Sequence, residues 1–415
     1  MTLCHLFCVK INLGGDDMEI KIIPKEDYKK MSQIQQSAYA SSFKGTKDEI
    51  QILSDIFSDL TENGDIRAIG AYDGEMMLGC VLYYEFQTNF HHEMIRTAGI
   101  GSLAVDLLHK KKHVANALIN HSFELARQKG ADLYYLYPFS TKFYRNFGFG
   151  YGSPMFTYCV APKDFVDNGD KGILSYGSES DYEDVFDLHD TLARNTQGMS
   201  MKTYGDKRRI REMKMGKLVL AKDKDELIGY LVYTQKGLKE SDDQSQKMVI
   251  AEMFYNNSKA LQAFGSFFSS QKDQIDYIQI ATHDNQFQQL LNNTCFAPEP
   301  KTMEIISLKV ADKSLGLMPY ALEPQKLLDR LKVTLDHKLS FTINHPRSEC
   351  KTASVGHGNE IMITLDINEF SSWITGVISL KELYEFGQLK TNHPELLRNI
   401  DQELYFESPK SFARF

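Results

Sequence analysis

Cysteine is scarce and scattered: six in 415 residues, at positions 4, 8, 80, 159, 295 and 350, with no Cys-x-x-Cys pair. That spacing excludes a disulfide framework and a thiolate zinc site, and points to reduced thiols in the cytoplasm. Nowhere do apolar residues run on for the ~18–20 positions that span a bilayer, so no membrane partner is expected. The segment from Met1 to Lys10 has no charged n-region, long apolar run or small-residue cleavage site, so it is not a signal peptide. An excess of positive charge is missing too. Lys and Arg total 47 against 55 Asp and Glu, a net charge of -8 that argues against a nucleic-acid partner and leans towards an amine-bearing one. His91, His92 and Glu93 are adjacent, but their spacing offers no common face for three ligands, so no metal is expected.

What is present is an ordinary globular composition, 42% hydrophobic and 25% charged, in a chain long enough for two or three buried cores. The most informative stretch runs from Gly99 to Gly150. Gly99-Ile-Gly-Ser-Leu-Ala-Val105 has the apolar character of a buried strand, with glycines that admit another backbone or a ligand. Lys110, Lys111, Lys112 and His113 follow, directly before a helix over 114–129 with Val114, Ala117, Leu118, Phe123 and Leu125 as its apolar positions. Helix-end amides and the positive end of the helix dipole meet these cations, a geometry that suits a pyrophosphate. A short charge run is as readily a solvated turn, and the lysines alone do not separate the two. Lys129-Gly130 ends the helix and Leu133 to Tyr137 closes a strand-helix-strand unit. Pro138 to Gly150 then sets Phe139, Phe143, Tyr144 and Phe147 just past a strand end.

These residues resemble the GNAT acyl-CoA N-acyltransferases, and more narrowly their enhanced intracellular survival (Eis) branch. The family pattern Arg/Gln-x-x-Gly-x-Gly/Ala is matched by Lys110-Lys-Lys-His113-Val-Ala115. The Eis-type Tyr-Pro-Phe and Phe-Tyr-x-x-Phe-Gly-aromatic-Gly are matched by Tyr137-Pro138-Phe139 and by Phe143 to Gly150. The position of the family's central glycine holds His113, whose side chain either crowds the pyrophosphate or hydrogen-bonds it. The resemblance implies acetyl-CoA lying along Leu103, Ala104 and Val105, its pyrophosphate on the amides of Lys110, Lys111, Lys112, His113, Val114 and Ala115, with Phe139 beside it. It further implies Leu103 N–H as oxyanion donor and Tyr144 as general acid for the departing thiolate.

The rest of the chain fits a mixed α/β (α+β) class of tandem GNAT folds followed by a sterol-carrier-protein-like domain. Met18 to Pro24 is the natural first strand, and Gly14-Gly15 fits translated ribosome-binding sequence, so residues 1–17 are expected to be a non-native or disordered leader. A catalytic domain over 18–162 would close with a strand at Met155 to Val160. Leu218 to Tyr233 echoes the hairpin at 68–83, with Gly229 where Gly79 stood, and a strand-helix-strand order follows. Tyr255-Asn-Asn-Ser258 in the echo lacks basic residues, so 173–310 is expected to be a degenerate second GNAT-like domain without cofactor. Lys207 to Arg211 is expected to be a solvated helix face. In 315–415, helices are expected from Glu323 to Leu335 and from Trp373 to Gly387, with strands at 339–344 and 360–366.

The chain stays aromatic to its last residue, Phe415, whereas most termini fray into polar residues. In the family that terminus enters the first domain's active site, so the resemblance implies the Phe415 carboxylate as general base. The expected activity is acetyl transfer from acetyl-CoA to a primary amine: an aminoglycoside-like molecule, a polyamine or a lysine side chain. A non-catalytic acyl-CoA-binding or lipid-carrier protein is the alternative. A homo-oligomer, a hexamer by resemblance, is expected in the cytoplasm.

Overall fold

The computed structural model describes residues 9–13, 16–43, 46–213, 216–239, 242–294, 296 and 308–411. β1 (Val9–Leu13) and β2 (Asp16–Ile22) pair antiparallel and lead into helices α1 (Tyr28–Ala38) and α2 (Lys47–Asn63). The leader expected over 1–17 thus contributes one strand and the start of the next; residues 1–8 and 14–15 lie outside the described residues. Thr46 and Glu49 form a capping box that starts α2 by satisfying two helix-end amides. β3 (Ile66–Asp73), β4 (Met76–Phe90) and β5 (Glu93–Val105) continue as an antiparallel meander, its turns made by Gly74 and by His91 and His92, all at positive φ. α3 (Val114–Gln128) returns the chain so that β6 (Leu133–Leu136) enters parallel to β5, and the short α4 (Thr141–Arg145) follows. Gly79 meets Val114 of α3, whereas the next residue, Cys80, meets Gln35 of α1. Successive strand residues face opposite ways, so α1 and α3 cover opposite faces of the sheet.

The second unit repeats the order. β7 (Pro154–Val160), β8 (Leu174–Tyr176), α5 (Tyr182–Arg194) and α6 (Tyr204–Arg211) precede an antiparallel meander of β9 (Gly216–Asp223), β10 (Glu226–Lys239) and β11 (Asp242–Tyr255). Then come α7 (Ser258–Ser269) and β12 (Tyr277–Thr282), the latter parallel to β11. Alternate residues of β9 and β10 feed two cores, one holding Val219 and Leu231, the other Leu218 and Tyr230. The charge run on α6 is only partly solvated. Arg208 pairs with Asp59 of α2 at 2.8 Å and Tyr204 donates to the same carboxylate at 2.9 Å, bridging the two units.

The last unit contains β13 (Asp312–Leu315), β14 (Met318–Ala321), α8 (Pro324–Asp329), β15 (His337–Asn344), β16 (Lys351–Val355), β17 (Asn359–Asp366), α9 (Ile367–Ile374), α10 (Leu380–Glu385), β18 (Leu389–Thr391) and α11 (Leu397–Leu404). The helix expected through Leu335 stops at Asp329, where Arg330 turns across to Asp132 at 2.7 Å. The helix expected from Trp373 to Gly387 is two. It breaks at Gly376, φ +84°, where a Cβ would sit 2.4 Å from the Glu407 carbonyl of the returning tail.

The sheets are ordered β1-β2-β3-β4-β5-β6-β14, β13-β7-β12-β11-β10-β9-β8 and β16-β15-β17-β18. β7 therefore does not close the first sheet as the 18–162 boundary supposed. It lies inside the second sheet, between β12 and β13, and β14 takes the place beside β6. The exchange occurs where two chain segments cross: the Gly316 amide donates to the Ser153 carbonyl and the Gly150 amide to the Pro319 carbonyl. Gly152 permits the crossing, since a Cβ there would lie 1.8 Å from the Leu317 carbonyl oxygen. The first and third units consequently share one hydrophobic core.

Candidate active site

β5 and β6 are paired only from Thr97 and Leu133 to Ile100 and Leu136; β5 then runs on to Val105 alone, and a wedge opens between them. On its other side β5 carries a bulge. Cys80 pairs with Ala104 and Leu82 with Gly101, so Ser102 and Leu103 together oppose Val81, with Ser102 at φ +53°. The α1 region holds this bulge. The Tyr39 hydroxyl donates to the Leu103 carbonyl at 2.6 Å, and the Gln35 amide donates to the Ser102 carbonyl at 3.4 Å.

Beyond Val105, Asp106 folds the chain into a turn, its Oδ1 accepting from the Leu108 amide at 2.9 Å and facing His109 Nδ1 at the same distance. Lys111 and His113 both stand in the left-handed region, at φ +68° and +60°. His113 is the N-cap residue of α3, yet its side chain caps no amide; its Nδ1 faces the Asn116 side-chain amide at 3.2 Å. Lys110, Lys111, Lys112 and His113 are exposed, with Val114 buried and Ala115 half-buried behind them. Gly79 lets α3 approach, because a Cβ there would be 2.8 Å from both the Ala104 carbonyl and a Val114 methyl. A helix start without a capping side chain, beside three exposed lysines, fits the pyrophosphate of an acyl-CoA.

At the far side of the wedge Ser140 caps α4 by accepting from the Phe143 amide at 3.3 Å. Tyr144 is buried, and Phe139 and Phe143 pack edge-on against it at 5.1 Å each. Burial, and secondarily Tyr39, push its phenol well above the ordinary value, so Tyr144 keeps its proton throughout the neutral range. Phe139 itself is exposed. Burial pushes the Cys80 thiol up to about 12 and the Cys159 thiol to about 11, so neither offers a thiolate near neutrality. His91 Nε2 lies 2.9 Å from the Ile374 carbonyl and its ring packs on Phe406. Among the described residues no three His, Cys, Asp or Glu side chains gather as a metal site, and no helix is long and apolar enough to cross a membrane.

A cavity of about 250 Å³ lies mostly within the second unit. Tyr137, at the end of β6, is at its wall, and the cavity extends to where β11 and β12 part beyond Ile250 and Ile280. At this second wedge Asn257 caps α7 by accepting from the Ala260 amide at 3.1 Å, whereas α3 has no side-chain cap. One wall carries a buried polar cluster. The Lys202 side chain, 3% exposed, pairs with Glu252 at 2.8 Å, and the Tyr230 hydroxyl donates to the same oxygen at 2.9 Å. His189 bridges the Tyr230 hydroxyl and the Ser200 carbonyl at 3.2 and 3.1 Å.

The tail reaches the same cavity. After α11, Phe406 packs on His91 and Trp373, the Lys410 amide donates to the Gln197 carbonyl at 2.8 Å, and His283 Nε2 lies 3.0 Å from the Ser411 carbonyl. Lys410 lines the cavity. Phe415 lies outside the described residues. Of the residues singled out in sequence, Leu103 is bonded by Tyr39 and Tyr144 is close enough to Tyr39 to feel its phenol, and the 110–115 segment follows β5. Tyr39 escaped notice because at the end of an amphipathic helix it reads as one more apolar position. Asn89 and Met199, whose amide and carbonyl join the first unit to the cavity loop, carried no sequence signal.

One GNAT acetyltransferase domain model matches residues 19–152 and another, also described as a GNAT acetyltransferase domain, matches residues 190–310. No curated protein matches the chain. Among solved structures, a probable N-acyltransferase of unknown function from Enterococcus faecalis is similar at 17% identity and a TM-score of 0.73, covering 95% of this chain and 98% of that one. A GCN5-related N-acetyltransferase from Anabaena variabilis is similar at 16% identity and a TM-score of 0.75, covering 94% and 98%. The Eis1 protein of Mycobacterium abscessus is similar at 15% identity and a TM-score of 0.72, covering 95% and 99%. With two such domains in tandem and a fold shared along nearly the whole length of these structures, the chain belongs to the GNAT acetyltransferases and is an acyltransferase of Eis-like architecture.

Proposed function

We propose that this acetyltransferase, which like other GNAT proteins uses acetyl-CoA, moves the acetyl group to a primary amine by direct attack. The observation that carries this reading is the wedge beyond Ile100 and Leu136, bounded by the bulge at Leu103, the α3 start without a capping side chain, and the buried Tyr144. Acetyl-CoA supplies an activated thioester. Leu103, Ala104 and Val105 line its path, the amides of 110–115 with the three lysines hold its pyrophosphate, and Phe139 shields its outer side. The Leu103 N–H donates to the carbonyl oxygen as negative charge builds there. The amine nitrogen forms its bond to the carbonyl carbon, the carbon–sulfur bond breaks, and Tyr144 donates its proton to the sulfur. The Phe415 carboxylate orients the amine and accepts its excess proton. From Ser411, next to the Lys410 that lines the cavity, the four remaining residues reach at most ~13–14 Å.

No covalent enzyme intermediate is needed, in keeping with the raised thiols of Cys80 and Cys159. Residues 315–415 act as a sterol-carrier-like scaffold that delivers the tail, in a cytoplasmic homo-oligomer. The test is thiol release from acetyl-CoA across a panel of amines, with the intact chain and with one lacking Phe415. Release with the intact chain alone, with acetyl-CoA still bound by both, is the expected result. Absence of both turnover and acetyl-CoA binding would leave the scaffold or carrier reading in its place.

A further inference from the structure

The second unit's cavity is built for little net charge. Its carboxylates are already engaged. Glu252 receives both Lys202 and Tyr230 on one oxygen, Asp206 accepts from Thr203 in the cap of α6 and faces Arg209 at 3.3 Å, and Asp284 accepts from the Gln286 amide at 2.8 Å. Lys410 adds a further cation to the same wall. A ligand with three or four ammonium groups would therefore enter a space with no matching set of free carboxylates, and desolvating those charges would oppose its binding.

The apolar part of the wall is of another kind. Met155, Met199, Met201 and Met253 face the cavity together with Phe254 and Phe287. Thioethers are flexible and polarisable, and adapt to apolar bodies of varied shape. The cavity also has a direction. Tyr137, two residues before Phe139 in the chain, is the first unit's residue on the wall, while Met155 and Met253 belong to the second unit's sheet.

We infer that the acceptor is a monoamine carried on an apolar body, seated with the body in the second unit's wedge and the amine towards the first. This rests on the acetyl-transfer reading above and deepens it. The degenerate domain has kept the cleft, and the cleft serves as the acceptor's pocket.

The experiment measures kcat/KM by thiol release with the full chain and saturating acetyl-CoA, for straight-chain alkylamines from propylamine to hexylamine and for spermine. Each added methylene buried in the wedge is expected to raise kcat/KM about three- to fourfold, and spermine is expected to fall at least about tenfold below hexylamine. A series that is flat with chain length, or spermine as the better substrate, overturns the inference while leaving amine acetylation standing. If acetyl-CoA binds and no amine is acetylated, the acetyl-transfer reading fails and the inference with it. Met253→Glu adds a free carboxylate to the wall and is expected to flatten the alkyl series and raise spermine turnover. Met253→Leu, which keeps the apolar volume, is expected to preserve the slope, and a slope lost in both variants alike overturns the inference.

Discussion

The phenol of Tyr39 is hydrogen-bonded to the carbonyl of Leu103 at 2.6 Å, so the region ending α1 holds the peptide that makes the bulge in β5. Leaving that part-buried carbonyl without its donor costs about 1–3 kcal/mol. Tyr39→Phe is therefore expected to lower kcat about tenfold by letting the Leu103–Ala104 peptide turn and loosening the adjoining peptide that carries the Leu103 N–H, with little change in KM for acetyl-CoA. Steady-state kinetics separates the two: a KM effect with kcat intact would mean Tyr39 only packs.

Tyr144 is buried and keeps its proton. Tyr144→Phe retains the ring contacts with Phe139 and Phe143 and removes only the donor. The expected loss in kcat is about 10²–10⁴-fold, with the melting temperature nearly unchanged. An unaltered kcat would transfer the acid role to water.

Docking of the tail through Lys410 and Ser411 does not need the last four residues. Deleting 412–415 is thus expected to abolish acetyl transfer while leaving thermal stability and acetyl-CoA binding as they were. Calorimetric titration with acetyl-CoA and a thermal melt of the shortened chain check both halves.

Gly79 stands where a Cβ would be 2.8 Å from both β5 and α3. Gly79→Ala is expected to push α3 off the sheet and raise KM for acetyl-CoA severalfold, since the phosphate-facing amides move with the helix. Kinetics at varied acetyl-CoA tests this, and a change confined to the amine KM would contradict it.

Two histidines make the fold acid-sensitive. Burial, with a further contribution from Lys202, lowers His189 to about 3, and burial lowers His91 to about 4. An unfolded histidine takes up its proton near 6.5, so between about pH 6.5 and 4 the unfolded chain binds protons that the native one refuses. Stability is full above that window and falls through it on acidification, by up to about 1.4 kcal/mol per pH unit per histidine. A melting temperature that stayed level from about pH 7 to 5 would contradict this linkage.

Much of the site was legible because it is local. The run Lys110 to His113 before an amphipathic helix, the Gly130 stop and the aromatic cluster around Tyr144 are all set by neighbours in sequence. What escaped was set by distant partners. Alternation in Met155 to Val160 identifies a strand and nothing about which sheet receives it. The break at Gly376 depends on the Glu407 carbonyl, and the pairing of Arg208 with Asp59 depends on a helix some 150 residues earlier, so a run of basic residues alone read as solvated.

The placement of β14 beside β6 also sets the order of events during synthesis. The first sheet lacks its last strand until Ala321 has been made, although β6 is complete at Leu136. At ~5–20 residues per second the ribosome needs on the order of ten to forty seconds to cover that gap. For that interval the outer edge of β6 has its amides and carbonyls unmatched, open to pairing with another nascent chain. Expression at lower temperature, or with chaperones raised, should therefore help this protein more than one whose sheets close in chain order.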